Sequence, residues 1–237
     1  MTQPFRGGGS GFHSGIWAGV SLRLLEDRIE ASSPEMLYTL SSAVHPGGFS
    51  YANRIVNWKV PLSYQCDDPV RDLKRKCGEW GCDYRQTAGL ITAAKLTHAS
   101  IMERAGDRFK LVGCVTAGTR NAARAGMPRD TFPAYTPGTI NTILLIDGRL
   151  TESAMVNAVI TATEAKTAAL QDLGIAEKAN GKSATGTTTD AIVIGVSQHS
   201  RWDAVHAYAG AATTVGNAIA ETVYAAVHEA VRTQQED

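Results

Sequence analysis

PGTINTILLID, residues 137–147, is a loop that turns into a strand. Pro and Gly open it, Thr139 and Asn141 add short polar side chains, and a run rich in Ile and Leu ends at Asp147-Gly148. β-Branched residues favour extended backbone, and Asp-Gly is a strong stop. The same design returns at TGTTTDAIVIG, residues 185–195, where Gly-Thr and further polar residues lead into the apolar run Ala191 to Val196. A helical pattern follows each copy. The first is Glu152 to Leu173, closed by Gly174; the second is Gly210 to about Val231, with Val215, Ile219, Val223 and Val227 on one face. Two βα units therefore fill the C-terminal half.

Upstream, extended runs dominate. Val20 to Leu25 and Arg28 to Ala31 read as a hairpin, and Met36 to Val44 as a further strand. Ile55 to Pro61 reads as a short extended piece, and Thr87 to His98 and Phe109 to Val115 as two arms about a turn near Gly106. Asp68-Pro69 caps a helix whose Val70, Leu73, Cys77 and Trp80 share one face. This order predicts an α+β single domain, a largely antiparallel sheet with packed helices. Residues 1–15, rich in Gly and polar residues, are expected to be disordered, residues 16–231 to form the domain, and residues 232–237 to fray.

Composition narrows the function. The chain has 237 residues and a formal net charge of zero, which argues against a general affinity for nucleic acid or an anionic membrane. No apolar run has transmembrane length and the N-terminus lacks the apolar core of a secretion signal, so a cytoplasmic protein is expected. Cys66, Cys77, Cys82 and Cys114 lack zinc-like spacing, and the six histidines form no metal-binding pattern. Reduced thiols and no metal site are the expectation. Gly181-Lys182-Ser183 is not a phosphate loop, because it follows a helix and precedes a strand. The basic cluster Arg71, Lys74, Arg75 and Lys76 reads as a solvated helix face.

Three stretches share one chemistry: VTAGTRNAARAG (115–126), TPGTINTILLID (136–147) and ATGTTTDAIVIG (184–195). Glycine admits close backbone approach, and Thr, Asn and Asp offer short donors and acceptors. Any one of them is ordinary turn chemistry. If the three ends lie side by side, they edge a single pocket. Thr119, Asn121, Arg124, Thr139, Asn141, Thr185 and Thr187 are then its binding candidates, joined by Asn57 and Thr163, with Asp190 a candidate for the chemistry. The helix ITATEAKTAALQDLG (160–174) adds an anomaly. Val156, Val159, Ile160, Thr163, Thr167 and Leu170 define its expected apolar stripe; Lys166 falls within that stripe and Glu164 at its edge. Two positions apart, these two charges cannot meet, so each needs a partner off the helix. A snorkelling lysine and a cation held in a cleft are both open readings.

Six blocks in order resemble the adenosylcobinamide amidohydrolases, the CbiZ family. They are SSAVHPGGFSYANRIVNWKVP, AGLITAA, VTAGTRNAARAG, TPGTINTILLID, ATEAKTAALQDLG and ATGTTTDAIVIG, and the likeness runs from about Tyr38 to Ile219. His45-Pro46-Gly47-Gly48 departs from a more glycine-rich family loop. The resemblance implies hydrolysis of the amide joining an aminopropanol arm to a propionate of the corrin ring, with adenosylcobyric acid as product, in cobamide salvage. It implies a corrinoid substrate that brings its own cobalt, and so no cofactor of the protein's own. An amide-rimmed ring suits a pocket of hydroxyls and amides, and Phe49, Tyr51, Trp58 and Tyr135 are candidates to cover its faces. For catalysis, a water activated by Glu164 or Asp190, with Lys166, Asn121 or loop amides holding the oxyanion, stands beside a Thr139 or Thr187 nucleophile. A non-catalytic corrinoid carrier or sensor is the competing function, followed by an idle partner in an assembly. Self-association is left open.

Overall fold

The computed structural model describes residues 2–128 and 139–236. Its elements follow in chain order. β1 (Gly11–His13), β2 (Ser21–Leu25), β3 (Arg28–Ser41) and β4 (Gly48–Lys59) precede helix α1 (Pro69–Glu79). Then come β5 (Thr87–Thr92), β6 (Ser100–Gly106), β7 (Phe109–Ala117), β8 (Ala122–Ala123), β9 (Ile140–Asp147) and α2 (Glu152–Asp172). The chain closes with β10 (Gly186–Thr187), β11 (Ala191–Val196) and α3 (Thr214–Thr233). One sheet runs β1-β2-β3-β11-β9-β7-β6, with β4 on the other side of β3 and β5 beyond it. Only β4–β5 and β9–β11 are parallel pairs among the described strands. The α+β expectation, a largely antiparallel sheet with helices packed on it, is met.

The two βα units sit side by side. β9 and β11 pair in parallel, Asn141 opposite Ala191 through Ile146 opposite Val196, with α2 as the crossover between them. α2 and α3 cover one face of the sheet, where Leu144, Ile194, Met155, Ile219 and Val223 are buried together. On its other face the sheet curls upon itself. Leu22, Ile55 and Leu90 from the early strands pack there against Val112, Ile143 and Val193 from the later ones.

Several sequence readings change. Arg28 to Ala31 and Met36 to Val44 belong to one long strand, β3, whose register against β4 shifts between Ser32 and Leu37. Pro34 lies in that irregularity, where its missing N–H costs no ladder bond, and Gly19, at φ +86°, packs beneath its ring. β4 begins at Gly48, well before Ile55, and Thr87 to His98 breaks after Thr92 into a turn and a single 3-10 turn, Leu96–His98. The N-terminal segment is not disordered: Phe5 is buried in the core, Gln3 Nε2 donates to His98 O (2.8 Å), and Gly11–His13 extends the sheet. The C-terminal residues also dock, Gln234 onto Thr119 and Glu236 onto Arg6.

A further change concerns α2. Thr151 caps it, accepting from Ala154 N, and Gly174 ends it at φ +66°, as the sequence suggests. Its buried face, however, is Ala154, Met155, Ala158, Ala162, Ala165 and Ala169, while Val156 and Ile160 are exposed. Alanines let the helix lie close on the sheet and α3, and that proximity outweighs the burial lost by the larger side chains. The α1 reading holds in part: Asp68 Oδ1 accepts from Arg71 N, and Leu73 and Cys77 are buried, but Val70 is exposed.

Candidate active site

The three similar loops do converge. β7 is antiparallel to β9, which brings the start of VTAGTRNAARAG, where β7 ends at Ala117, opposite Ile140 at the start of β9. β11 starts beside it, at Ala191 opposite Asn141. A short ribbon stitches the outer loops together, Ala122 and Ala123 of β8 pairing with Thr187 and Gly186 of β10. Asn121 Nδ2 adds a bond to Thr188 Oγ1 (2.6 Å).

At the centre is Asp190. Its Oδ2 pairs with Lys166 Nζ from α2 and accepts from Thr187 N (3.1 Å). Its Oδ1 accepts from Ile140 N (3.0 Å) and from the Thr187 hydroxyl. Four donors thus fix one carboxylate, and the side chains of the ion pair are only 12% and 16% exposed. Gly186 makes this possible: a Cβ there would lie 2.8 Å from Lys166 Nζ and clash harder with Asp190 Oδ2. The off-helix partner that the spacing required for Lys166 is therefore Asp190.

Two hollows meet at this carboxylate. The larger, about 510 Å³, is walled by Tyr64, Cys66, Leu90, Thr139, Thr188 and Asp190 among others. The smaller, about 150 Å³, is walled by Val159, Thr163, Lys166 and again Asp190. Ser42, one residue beyond β3, borders both. Sequence reasoning missed Ser42; its signal was a small polar pair, Ser41-Ser42, ending an apolar strand. It missed Thr188, Tyr64 and Cys66 too. Cys66 is a free thiol that donates to Asp72 Oδ2 (3.0 Å), as does the Tyr64 hydroxyl (3.1 Å). The other three cysteines are free and buried. Burial pushes the thiols of Cys77 and Cys114 up to about 11 and about 12.

The remaining sequence candidates divide. Thr139 reaches the larger hollow's wall, its hydroxyl donating to Thr189 O (2.7 Å). Asn57 and Asn141 are buried and bonded inward: Asn141 Nδ2 to Asn57 Oδ1 (2.8 Å), Asn57 Nδ2 to Thr116 Oγ1 (2.8 Å). They brace the strand ends from within. Thr185 O accepts from Thr167 Oγ1 (2.9 Å), tying β10 to α2, and its own hydroxyl accepts from Ala125 N (2.9 Å). Arg124 Nη1 donates to Ser183 O (2.9 Å), and Thr119 N to Gln234 Oε1 (3.0 Å). Thr163 is exposed, its hydroxyl donating back to Val159 O (2.8 Å). Glu164 is exposed and borders neither hollow, so the structure does not bring it to the pair.

Of the aromatics, Phe49 and Tyr51 are exposed and cluster with Tyr38 at ring separations of 5.5 and 5.1 Å. Trp58 is buried against Tyr64 and Trp80, which makes it core. Tyr135 lies outside the described residues. The basic α1 face is solvated, Arg75 and Lys76 pairing with Glu79. No helix among the described residues is long and apolar enough to cross a membrane.

Comparison with known proteins sets this site in context. An adenosylcobinamide amidohydrolase from Methanosarcina mazei is 30% identical over 183 residues, covering 75% of this chain and 82% of its own length. An uncharacterized Methanocaldococcus jannaschii protein is 31% identical over 206 residues, 78% of each chain. Among solved structures, a Burkholderia sp. beta-aminopeptidase aligns over 94% of this chain and 82% of its own at 12% identity, with a TM-score of 0.41. The CbiZ family, described as adenosylcobinamide amidohydrolase, matches residues 21–237. The chain therefore belongs to the adenosylcobinamide amidohydrolase family, hydrolases that act on amides.

Proposed function

We propose that this chain hydrolyses the amide joining the aminopropanol arm of adenosylcobinamide to a corrin propionate, releasing adenosylcobyric acid for cobamide salvage. The observation that supports it is the Lys166–Asp190 pair, fixed at the junction of two hollows where three Gly/Thr-rich strand ends meet. Thr188, Thr189 and Thr139 on the larger hollow's wall suit the amide rim of a corrinoid. The only metal needed is the cobalt that the substrate carries, and no cofactor of the protein's own takes part.

The attack is assigned to the hydroxyl of Thr187, which lines neither hollow itself but adjoins Thr188 on the larger one's wall and already donates to a carboxylate that can accept its proton. Thr139 donates to carbonyl oxygens, Thr189 O and Asn141 Oδ1, which cannot. Thr187 Oγ attacks the amide carbon while its proton passes to Asp190. The oxyanion forms beside the Lys166 ammonium, and a single well-placed donor of this kind is worth roughly 3–4 kcal/mol. Collapse expels the amine, which takes the proton from Asp190, and water then hydrolyses the Thr187 ester to the free acid.

Incubation with adenosylcobinamide and assay of released aminopropanol tests the function. Binding without release would mean a carrier or sensor instead. Thr187→Ala tests the mechanism: turnover near the parent rate would reassign the attack to a water on Asp190, and a mass increment of one acyl group on Thr187 would secure the ester.

A further inference from the structure

Beyond the ion pair the cleft continues. A third hollow, about 340 Å³, shares the wall residues Val60 and Ala93 with the larger cavity, so the two lie side by side. Lys59, Lys95 and Arg120 stand in its wall, with no carboxylate among the described lining residues. Neither Lys59 nor Arg120 has an ion-pair partner among the described residues. Lys95 Nζ donates to a main-chain carbonyl, that of Glu236 (2.5 Å), and pairs with no carboxylate among the described residues. The Glu236 carboxylate itself is taken by Arg6.

Three cations around one hollow repel each other, and a chain of zero net charge has no need of them for solubility. A neutral amide rim or a hydroxyl-ended arm gives them nothing to pair with. An oxyanion does, and Arg and Lys are the residues that hold phosphate.

Resting on the amidohydrolase reading, we infer that this hollow is a phosphate subsite, and that the chain takes corrinoids whose amide-linked arm ends in a phosphate monoester. With the scissile carbonyl at Asp190, the short arm leads past Thr139, whose carbonyl accepts from Gly118 N in the third hollow's wall, and its terminal phosphate faces Lys59 and Arg120. Gln234, which clasps Thr119 next to Arg120, holds that wall in place.

The test uses three probes: the corrinoid with a free hydroxyl on its arm, the same corrinoid phosphorylated there, and inorganic phosphate. In Lys59→Gln and Arg120→Gln, both changes at exposed positions, KM for the phosphorylated corrinoid rises roughly tenfold each. KM for the hydroxyl-ended one stays within about twofold, and inorganic phosphate competes only against the phosphorylated form. Equal shifts for both corrinoids, or none for either, would overturn the subsite. Tight phosphate binding with no advantage for the phosphorylated corrinoid would overturn its link to the arm. If the parent chain hydrolyses neither corrinoid, the amidohydrolase reading fails by itself. Calorimetric titration with the phosphorylated corrinoid then decides the subsite: binding lost in the double variant keeps it, and binding absent or unchanged removes it.

Discussion

Asp190 and Asp147 stand at opposite ends of the same parallel strand pair, each in an ion pair, and their surroundings could hardly differ more. Asp147, at the end of β9, is wholly buried; Arg201, Trp202 Nε1 (2.8 Å) and Ser197 Oγ (3.0 Å) all converge on its Oδ1. Its partners come from the loop after β11, and none of them borders the hollows described above. Asp190 keeps a comparable set of donors but faces hollows on two sides. A carboxylate sealed by indole and backbone, its arginine reaching in from the surface, fastens a loop. The same chemistry opened to a cleft offers a cation and a proton acceptor to a substrate. Access, more than charge, separates anchor from reagent.

The largest expected effect on stability belongs to the anchor. Arg201→Met takes the half-exposed cation from a buried carboxylate that keeps Trp202 and Ser197, and should cost about 2–3 kcal/mol in urea unfolding, with turnover per folded molecule unchanged. A loss under about 1 kcal/mol would mean that this end fastens nothing. The same end predicts acid sensitivity. Burial pushes the Asp147 carboxyl up, but hydrogen bonds from Arg201, Trp202 and Ser197 outweigh it and hold it below the ordinary aspartate range. Its contribution is complete above that range and is lost as pH falls through the lowered value, so Asp147→Asn should flatten the acid limb of the stability curve.

At the other end the prediction inverts. Lys166→Met should lower kcat by about 10²–10³. Its unfolding free energy should shift by only about 1 kcal/mol, since Asp190 keeps three other donors. A large stability loss with activity retained would make Lys166 a second anchor and erase the contrast. Gly186→Ala pushes Asp190 and Lys166 out of place without removing either and should give a smaller loss, roughly tenfold in kcat/KM. Glu164→Gln should sit within about 0.5 kcal/mol of the parent in stability and keep full turnover. A collapse of activity there would move the chemistry onto the exposed face of α2.

Much of this was legible beforehand. The paired motifs foretold two adjacent βα units, because Thr/Gly loops and β-branched runs carry local instructions. The three loop ends were legible as one cluster for the same reason, and helical spacing alone required Lys166 and Glu164 to part company. What failed depended on distance in the fold. Asn57 and Asn141 look like binding residues until β4 and β9 close over them and each becomes the other's partner. The face of α2 was misread because hydropathy ranks Val156 and Ile160 above alanine, whereas close approach to α3 favours the smaller side chain. Phe5 was hidden in a Gly-rich, polar stretch that has no periodicity to betray a docked segment.

The two copies of the loop-and-strand motif match in sequence at a spacing of 48, Thr139 with Thr187, yet pair in the sheet at a spacing of 50, Asn141 with Ala191. The difference is two residues, one full pleat, so both copies keep the same face toward the helices. That stagger breaks the symmetry of the repeat. It carries Asp190 past its sequence counterpart Thr142 to the level of Ile140, where a main-chain N–H waits for it. Had the copies docked in step, two similar strand ends would lie flush, with neither offering the other a ligand. A slip of one pleat suffices to turn a repeated motif into a site with a front and a back.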